Sequence, residues 1–394
     1  MKLLSAVLIK LNLMFVLALF TDVAFAERVT FNVKNSGVLT SKQYDDFGIA
    51  YAMAIHESDV NKLAKMFDMK GFAYKTARTV YESENDIKAF VKGFMKRKEQ
   101  DFLTLIFSSV FRADTNVKYL RLLEGNRPLI RIDYQQGGHE YAVLETKISA
   151  NNNLSVNDML LLSSGRHLSV SLGSASQLLM RPSKSILKKL FGGEEVDENM
   201  LESFKKIGRL RESREYQKAY NIIEGFPESI KNSRVMIDNS VQLAQLINDD
   251  EYRKQLNRLD RYFGKDETTT FILIDHHFYN EDYHKAQSSI DRLIKRFGVD
   301  AALFNLKANT YLIAKNNIKA KVFSKKAIKM EPEFEGAYWT LVSVLLEKKE
   351  YAEVVTVLNS LEDKFQYQFT ADNFIQEPYY KTFIKSPEFK ARFK

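Results

Sequence analysis

The chain has 394 residues, 27% of them charged, a net charge of +8 and not a single cysteine. Lacking cysteine, it has no disulfide, no thiolate metal site and no lipid-modified cysteine, and its length suits two domains at about 150 residues each. The basic excess is spread along the chain with no arginine-rich block, which argues against a nucleic-acid partner.

Residues 1–26 read as a secretory signal, with Lys2 in a basic start, an apolar stretch from Leu11 to Phe20, and Ala24-Phe25-Ala26 as a small-x-small cleavage site. The mature chain would then begin at Glu27, exported to the periplasm or the outside if the host is bacterial. Lys10 interrupts the apolar run and leaves it short of the roughly 20 residues of a span. No membrane span is therefore expected after cleavage, and export without disulfides calls for a core large enough to hold itself together.

Residues 27–180 read as an α+β domain. Phe47, Tyr51 and Ala54, then Val60, Leu63 and Phe67, recur at helical spacing and predict two short amphipathic helices. Phe72 to Tyr81 reads as a strand. Ser83 precedes an acidic first turn as the N-cap of a helix carrying Ile87, Phe90 and Phe94, and helix continues to about Phe111. The period then changes to two. Ile130, Ile132 and Tyr134 make one strand, Gly137-Gly138 a hairpin turn, and Leu144, Thr146 and Ile148 the next strand. After a turn at Asn151-Asn152-Asn153, Met159 to Leu162 and Leu168, Val170 and Leu172 complete a predicted antiparallel sheet of four strands.

This order of helix, helix, strand, helix and consecutive strands resembles the cone-shaped fold of the nuclear transport factor 2 superfamily. The resemblance implies a hollow between bent sheet and helices that serves as a pocket for a small apolar ligand, as a dimer surface, or in some members as an active site. Phe47, Tyr51, Phe90 and Phe94 are the candidate lining. Asp133, His139, Glu140 and Glu145 are the candidates for acid–base work, an Asp/His pair being able to orient an imidazole as general base. His139 and Glu140 adjoin the Gly137-Gly138 turn, where solvated polar side chains are expected, so no catalytic residue is assigned.

Arg181-Pro182-Ser183 and Gly192-Gly193 mark a linker over 181–198, bridged by a short helix at Ile186 to Phe191. Beyond it strand signals vanish, and 199–394 reads as all-α with a terminal capping helix. Ala286, Ala320 and Val354 stand 34 residues apart. In the middle unit Phe304, Ala308, Tyr311, Ala320, Ala327 and Pro332 occupy aromatic, small, aromatic, small, small and proline positions. Residues 267–368 thus resemble the tetratricopeptide repeat, in which small residues let two helices approach and stacked hairpins bury a shared apolar stripe. Tyr216 and Ala219 echo the pattern one residue out of step, while Tyr252 at a small-residue position marks 233–266 as a divergent hairpin. Phe374, Tyr379, Tyr380, Phe383 and Phe389 are expected on the terminal helix, covering the last repeat.

In peptide-binding members of that family the groove is lined by the fifth and ninth positions of each first helix. Carried over, the resemblance implies Phe271 and Asp275, Asn305 and Asn309, and Trp339 and Ser343 as groove residues. Asparagine amides supply both donor and acceptor to an extended backbone, and Trp339 an apolar shelf. His276, His277 and His284 invite a metal reading, but no carboxylate completes a ligand set and His277 falls at a packing position, so neither metal nor cofactor is expected. The function expected is that of an exported, non-enzymatic adaptor for a peptide or protein. The alternative is binding or turnover of a small apolar ligand in the N-terminal hollow, and a homodimer through the N-terminal sheet is a third reading.

Overall fold

The computed structural model describes residues 39–96, 98–112, 115–134, 137–149, 153–179 and 197–394. The predicted signal, most of the linker with its short helix, and Asn151-Asn152 lie outside them. The described residues fall into two compact units, 39–276 and 277–394. Among them no helix is long and apolar enough to cross a membrane.

The first unit opens with helices and continues into a sheet. Helices α1 (Ser41–His56), α2 (Val60–Lys65), α3 (Met69–Val80), α4 (Glu84–Phe94), α5 (Glu99–Ile106) and α6 (Ser108–Arg112) precede strands β1 (Thr115–Leu123), β2 (Arg127–Tyr134), β3 (His139–Ile148), β4 (Leu154–Leu161) and β5 (Arg166–His167). Local chemistry sets the helix starts. Thr40 and Gln43 form a reciprocal capping box ahead of α1, and the Asp59 and Asp68 carboxylates accept the Lys62 and Gly71 amides ahead of α2 and α3.

The segment expected as a strand at 72–81 is helix α3. Its aromatic and β-branched residues favour strand, yet Met69, Phe72, Ala73, Thr76, Ala77 and Val80 are buried at the three- and four-residue spacing of a helix. The element order that carried the cone resemblance is therefore not the order found. The strand expected at Leu168–Leu172 is likewise the start of helix α7 (Leu168–Leu179). Asp158 holds that start, accepting from the Ser169 amide at 3.1 Å and the Ser169 hydroxyl at 2.6 Å.

The sheet is antiparallel with neighbours in chain order, β1 to β5, and includes β1, for which the sequence reading had no strand. Ile130 faces Ala142 and Ile132 faces Glu140 across β2 and β3, and register shifts at Tyr119/Arg121 and Glu145/Thr146 interrupt the ladders. One face of the sheet packs on the helices, with Val117, Ile130, Ile132, Ala142 and Leu144 in one core with Tyr51, Phe67 and Phe72. Gly48 lets α1 approach closely, since a Cβ there would lie 2.6 Å from the Tyr119 ring.

Helices α8 (Glu198–Glu212), α9 (Tyr216–Glu224), α10 (Glu228–Lys231), α11 (Arg234–Ile247) and α12 (Asp249–Phe263) complete this unit, and α13 (Leu273–Tyr279) spans the division. The divergent hairpin has a physical cause. Tyr252 is 4% exposed at the position where repeats carry a small residue, and its hydroxyl donates to Asp275 at 2.9 Å. A single residue, Asn248, joins α11 to α12 in extended conformation and caps α12.

The second unit is helical throughout: α14 (Tyr283–Phe297), α15 (Ala301–Ile313), α16 (Asn317–Met330), α17 (Glu335–Glu347) and α18 (Tyr351–Phe365). The second helices α14, α16 and α18 begin 34 residues apart, and each follows a left-handed residue, Glu281, Lys315 or Lys349, with φ of 56 to 59°. The next amide bonds back across the turn every time: Asp282 to His277, Asn316 to Tyr311, Glu350 to Leu345, at 2.8 to 2.9 Å. Arg214 and Glu215 build the same turn in the first unit, one residue short of two periods earlier. The small positions are sealed, with Ala286, Ala308, Ala320, Ala327 and Val354 at 0% exposure.

The last hairpin is covered as expected, but not by one helix. Pro378 and Pro387 break the segment into α19 (Asp372–Ile375), two single 3-10 turns and α20 (Pro387–Arg392). Phe374, Phe383 and Phe389 are buried from it against Leu345, Leu358 and Leu361.

Candidate functional site

The acid–base candidates of the first unit do not form one constellation. Asp133 and Arg131 lie on the same side of β2 and face His139 and Tyr141 on β3, whereas Glu140 points to the other side, opposite Ile132. Asp133 is clamped by Arg131, Nε at 2.7 Å on Oδ1 and Nη2 at 2.8 Å on Oδ2, while His139 Nδ1 lies 2.7 Å from Oδ1. Burial by itself would raise the Asp133 carboxyl, but His139 and Arg131 hold it down at about 2. It is thus an acceptor only, and His139 Nδ1 carries the proton of that bond. Arg131 is fully buried, so this carboxylate neutralises a cation removed from water.

His139 and Glu140 are not the solvated turn residues expected. Gly137 and Gly138 take positive φ as a tight turn requires. Glu140, however, is 1% exposed, because the β4–β5 turn folds over it. Its Oε1 accepts the Tyr141 amide at 2.9 Å and the Ser163 amide at 3.1 Å, and Oε2 has no partner. Desolvation raises this carboxyl to about 7 against the opposing bonds from Ser163 and Tyr141. Glu145 stands apart, paired at 3.5 Å with Arg127.

The candidate ligand lining is spent on packing. Phe47 stacks on Tyr51, and Phe90 on Phe94, with centroids 6.1 and 5.9 Å apart. Phe94 also meets Phe72 and Phe102, and those two meet Phe67.

Of the groove candidates, Phe271 and Asp275 belong to the first unit. Phe271 is 2% exposed with its ring edge-on to Tyr141, and Asp275 is fully buried as the Tyr252 acceptor. Neither offers surface to a peptide. The other four belong to the second unit, one turn apart on α15 and on α17. Asn305 is 8% exposed and its Oδ1 is buried without a partner. Asn309 is half-buried and accepts from the Thr340 hydroxyl at 3.0 Å. Trp339 is half-buried, its Nε1 donating to Glu335 at 2.8 Å and its ring held edge-on by Tyr367 and Phe369. Ser343 turns inward, 5% exposed, donating to the Trp339 carbonyl at 3.0 Å. Asn309 and Trp339, on successive hairpins, are thus the two groove candidates with accessible side chains.

No family model matches the chain, and no curated protein matches it.

Thr340, which fixes the Asn309 amide, and Tyr367 and Phe369, which fix Trp339, were missed in the sequence reading. Their signal was present: Thr340 follows Asn309 by almost one period, and an aromatic pair beyond α18 has no place in a hairpin pattern. The histidines are scattered. His276 Nε2 lies 3.3 Å from Asp260, His277 is buried, and among the described residues no group of three or more potential ligands could hold a metal ion.

Proposed function

We propose that the chain is an exported, non-enzymatic binding protein whose second unit, a tetratricopeptide-like array, holds a peptide or protein partner along its first helices at Asn309 and Trp339. The observation that carries this reading is the repetition of one hairpin geometry at 34 residues, with the same left-handed turn and sealed small residues each time. Such an array presents a surface and has no need of a reacting centre. Asn309 accepts from Thr340 and retains its NH2 to donate to a backbone carbonyl, while braced Trp339 gives a neighbouring side chain a rigid apolar surface.

The test is a displayed random-peptide library panned on the chain from Glu27 onward, followed by calorimetry with the consensus peptide. Asn309→Ala is expected to weaken binding about tenfold, the scale of one charge-free hydrogen bond with its ordering. Thr340→Val, which removes only the intrachain bond, should weaken it less. A library that yields no consensus, or a consensus indifferent to Asn309, refutes the reading.

A further inference from the structure

The outward side of α16 differs from its counterparts in the repeat. This 14-residue helix carries five lysines and no acidic residue. Its inner side is Ala320, Ser324 and Ala327, all at 0% exposure. At about 100° per residue, Lys325, Ile318, Lys329, Val322, Lys326 and Lys319 follow one another around the opposite side, with Met330 at its margin. Ile318 is 74% exposed, Val322 47% and Met330 44%. These are three of the five exposed large hydrophobic residues in 277–394.

The repeat does not demand this face. One period later Ile318 and Val322 become Ala352 and Thr356, and Lys319, Lys325 and Lys329 become Glu353, Asn359 and Asp363. Lys319 lies over the Tyr311 ring at 5.2 Å and Lys326 over Phe323 at 5.0 Å, while both remain exposed. Lys325 is shared with Glu353 at 3.2 Å.

We propose that this face of α16 is a peripheral docking surface for an anionic lipid bilayer, with Ile318 and Val322 entering the headgroup layer and Lys319, Lys326 and Lys329 meeting lipid phosphates. Charge complementarity selects the occupant's sign, and composition selects its class. Protein interfaces enrich aromatics and arginine and deplete lysine. Here the cations are all lysines, whose long stems let the ammonium reach headgroups while aliphatic neighbours sink below them. Such a surface rests on the membrane and spans nothing.

The probes are vesicles of phosphatidylcholine alone and of phosphatidylcholine with one third phosphatidylglycerol, sedimented with the chain from Glu27 onward. Binding is expected only with the anionic vesicles and should fall steeply with salt. Each lysine is worth about fivefold in partition, so the combined Lys319→Gln, Lys326→Gln and Lys329→Gln variant should lose about a hundredfold. Lys329→Gln alone, which leaves both ring contacts in place, should lose about fivefold. Ile318→Ser should weaken binding several-fold without changing its salt dependence. Equal sedimentation with both vesicles, none with either, or a triple variant that binds like the parent overturns the proposal. Binding to soluble polyglutamate without binding to vesicles overturns it in favour of an acidic protein.

Discussion

Glu140 ties the end of β3 to the turn after β4 through the Ser163 amide, and it does so from a site closed to water. Its carboxyl, raised by burial to about 7 from 4.5, keeps its proton in the folded chain after the unfolded chain has lost it. The folded state then binds more protons between those values, so stability falls as pH rises through that window and levels off above it, by about 3 kcal/mol. Glu140→Gln should flatten that part of the profile and leave the variant more stable than the parent at pH 8. Denaturant midpoints from pH 4.5 to 8 check this, and parallel curves for the two proteins would refute it. Asp133 illustrates the opposite balance on the other side of the same strands, where Arg131 and His139 outweigh the same desolvation.

Individual elements were read best where the signal is local. The caps at Asp282, Asp300 and Asn316 and the left-handed residues before α14, α16 and α18 follow from a few neighbouring side chains. Lys349, at φ 58°, pays the steric cost of a Cβ in a left-handed turn, so Lys349→Gly should stabilise the protein by about 0.5–1 kcal/mol. Asn316→Ala, which removes the acceptor for the Lys319 amide, should cost about 1 kcal/mol. Thermal unfolding of the two variants decides, and a destabilised Lys349→Gly would contradict the turn geometry. Helix α3 and the start of α7 were misread because short apolar runs carry both periods until something packs against them.

On the scale of the molecule, the two units solve the same problem by different means. The first buries its apolar residues between helices and one side of a sheet; the second does so by packing each hairpin on the next, which leaves the last hairpin with an uncovered side. Residues 372–392 close it with broken turns. Phe374, 2% exposed and in ring contact with Phe369, Tyr380, Phe383, Phe389 and Phe393, is the centre of that cover. Phe374→Ala should cost about 3–5 kcal/mol, and removal of 367–394 should expose Leu345, Leu358 and Leu361 and cause self-association. Calorimetry and size-exclusion chromatography check the two outcomes; a monomeric, stable truncation would show that the cover is dispensable.

By itself the sequence determined the 34-residue repeat, the helix starts and the β2–β3 hairpin with its Gly137-Gly138 turn, because spacing, capping and turn chemistry act within a few residues. Only the tertiary structure decided that Phe72–Val80 coils into a helix, that Glu140 is buried, and that Asn309 and Trp339 keep accessible side chains while Phe271, Asp275 and Ser343 turn inward. Each of those outcomes depends on what another part of the chain places beside the residue, and neighbours brought together by folding leave no periodic trace in the sequence.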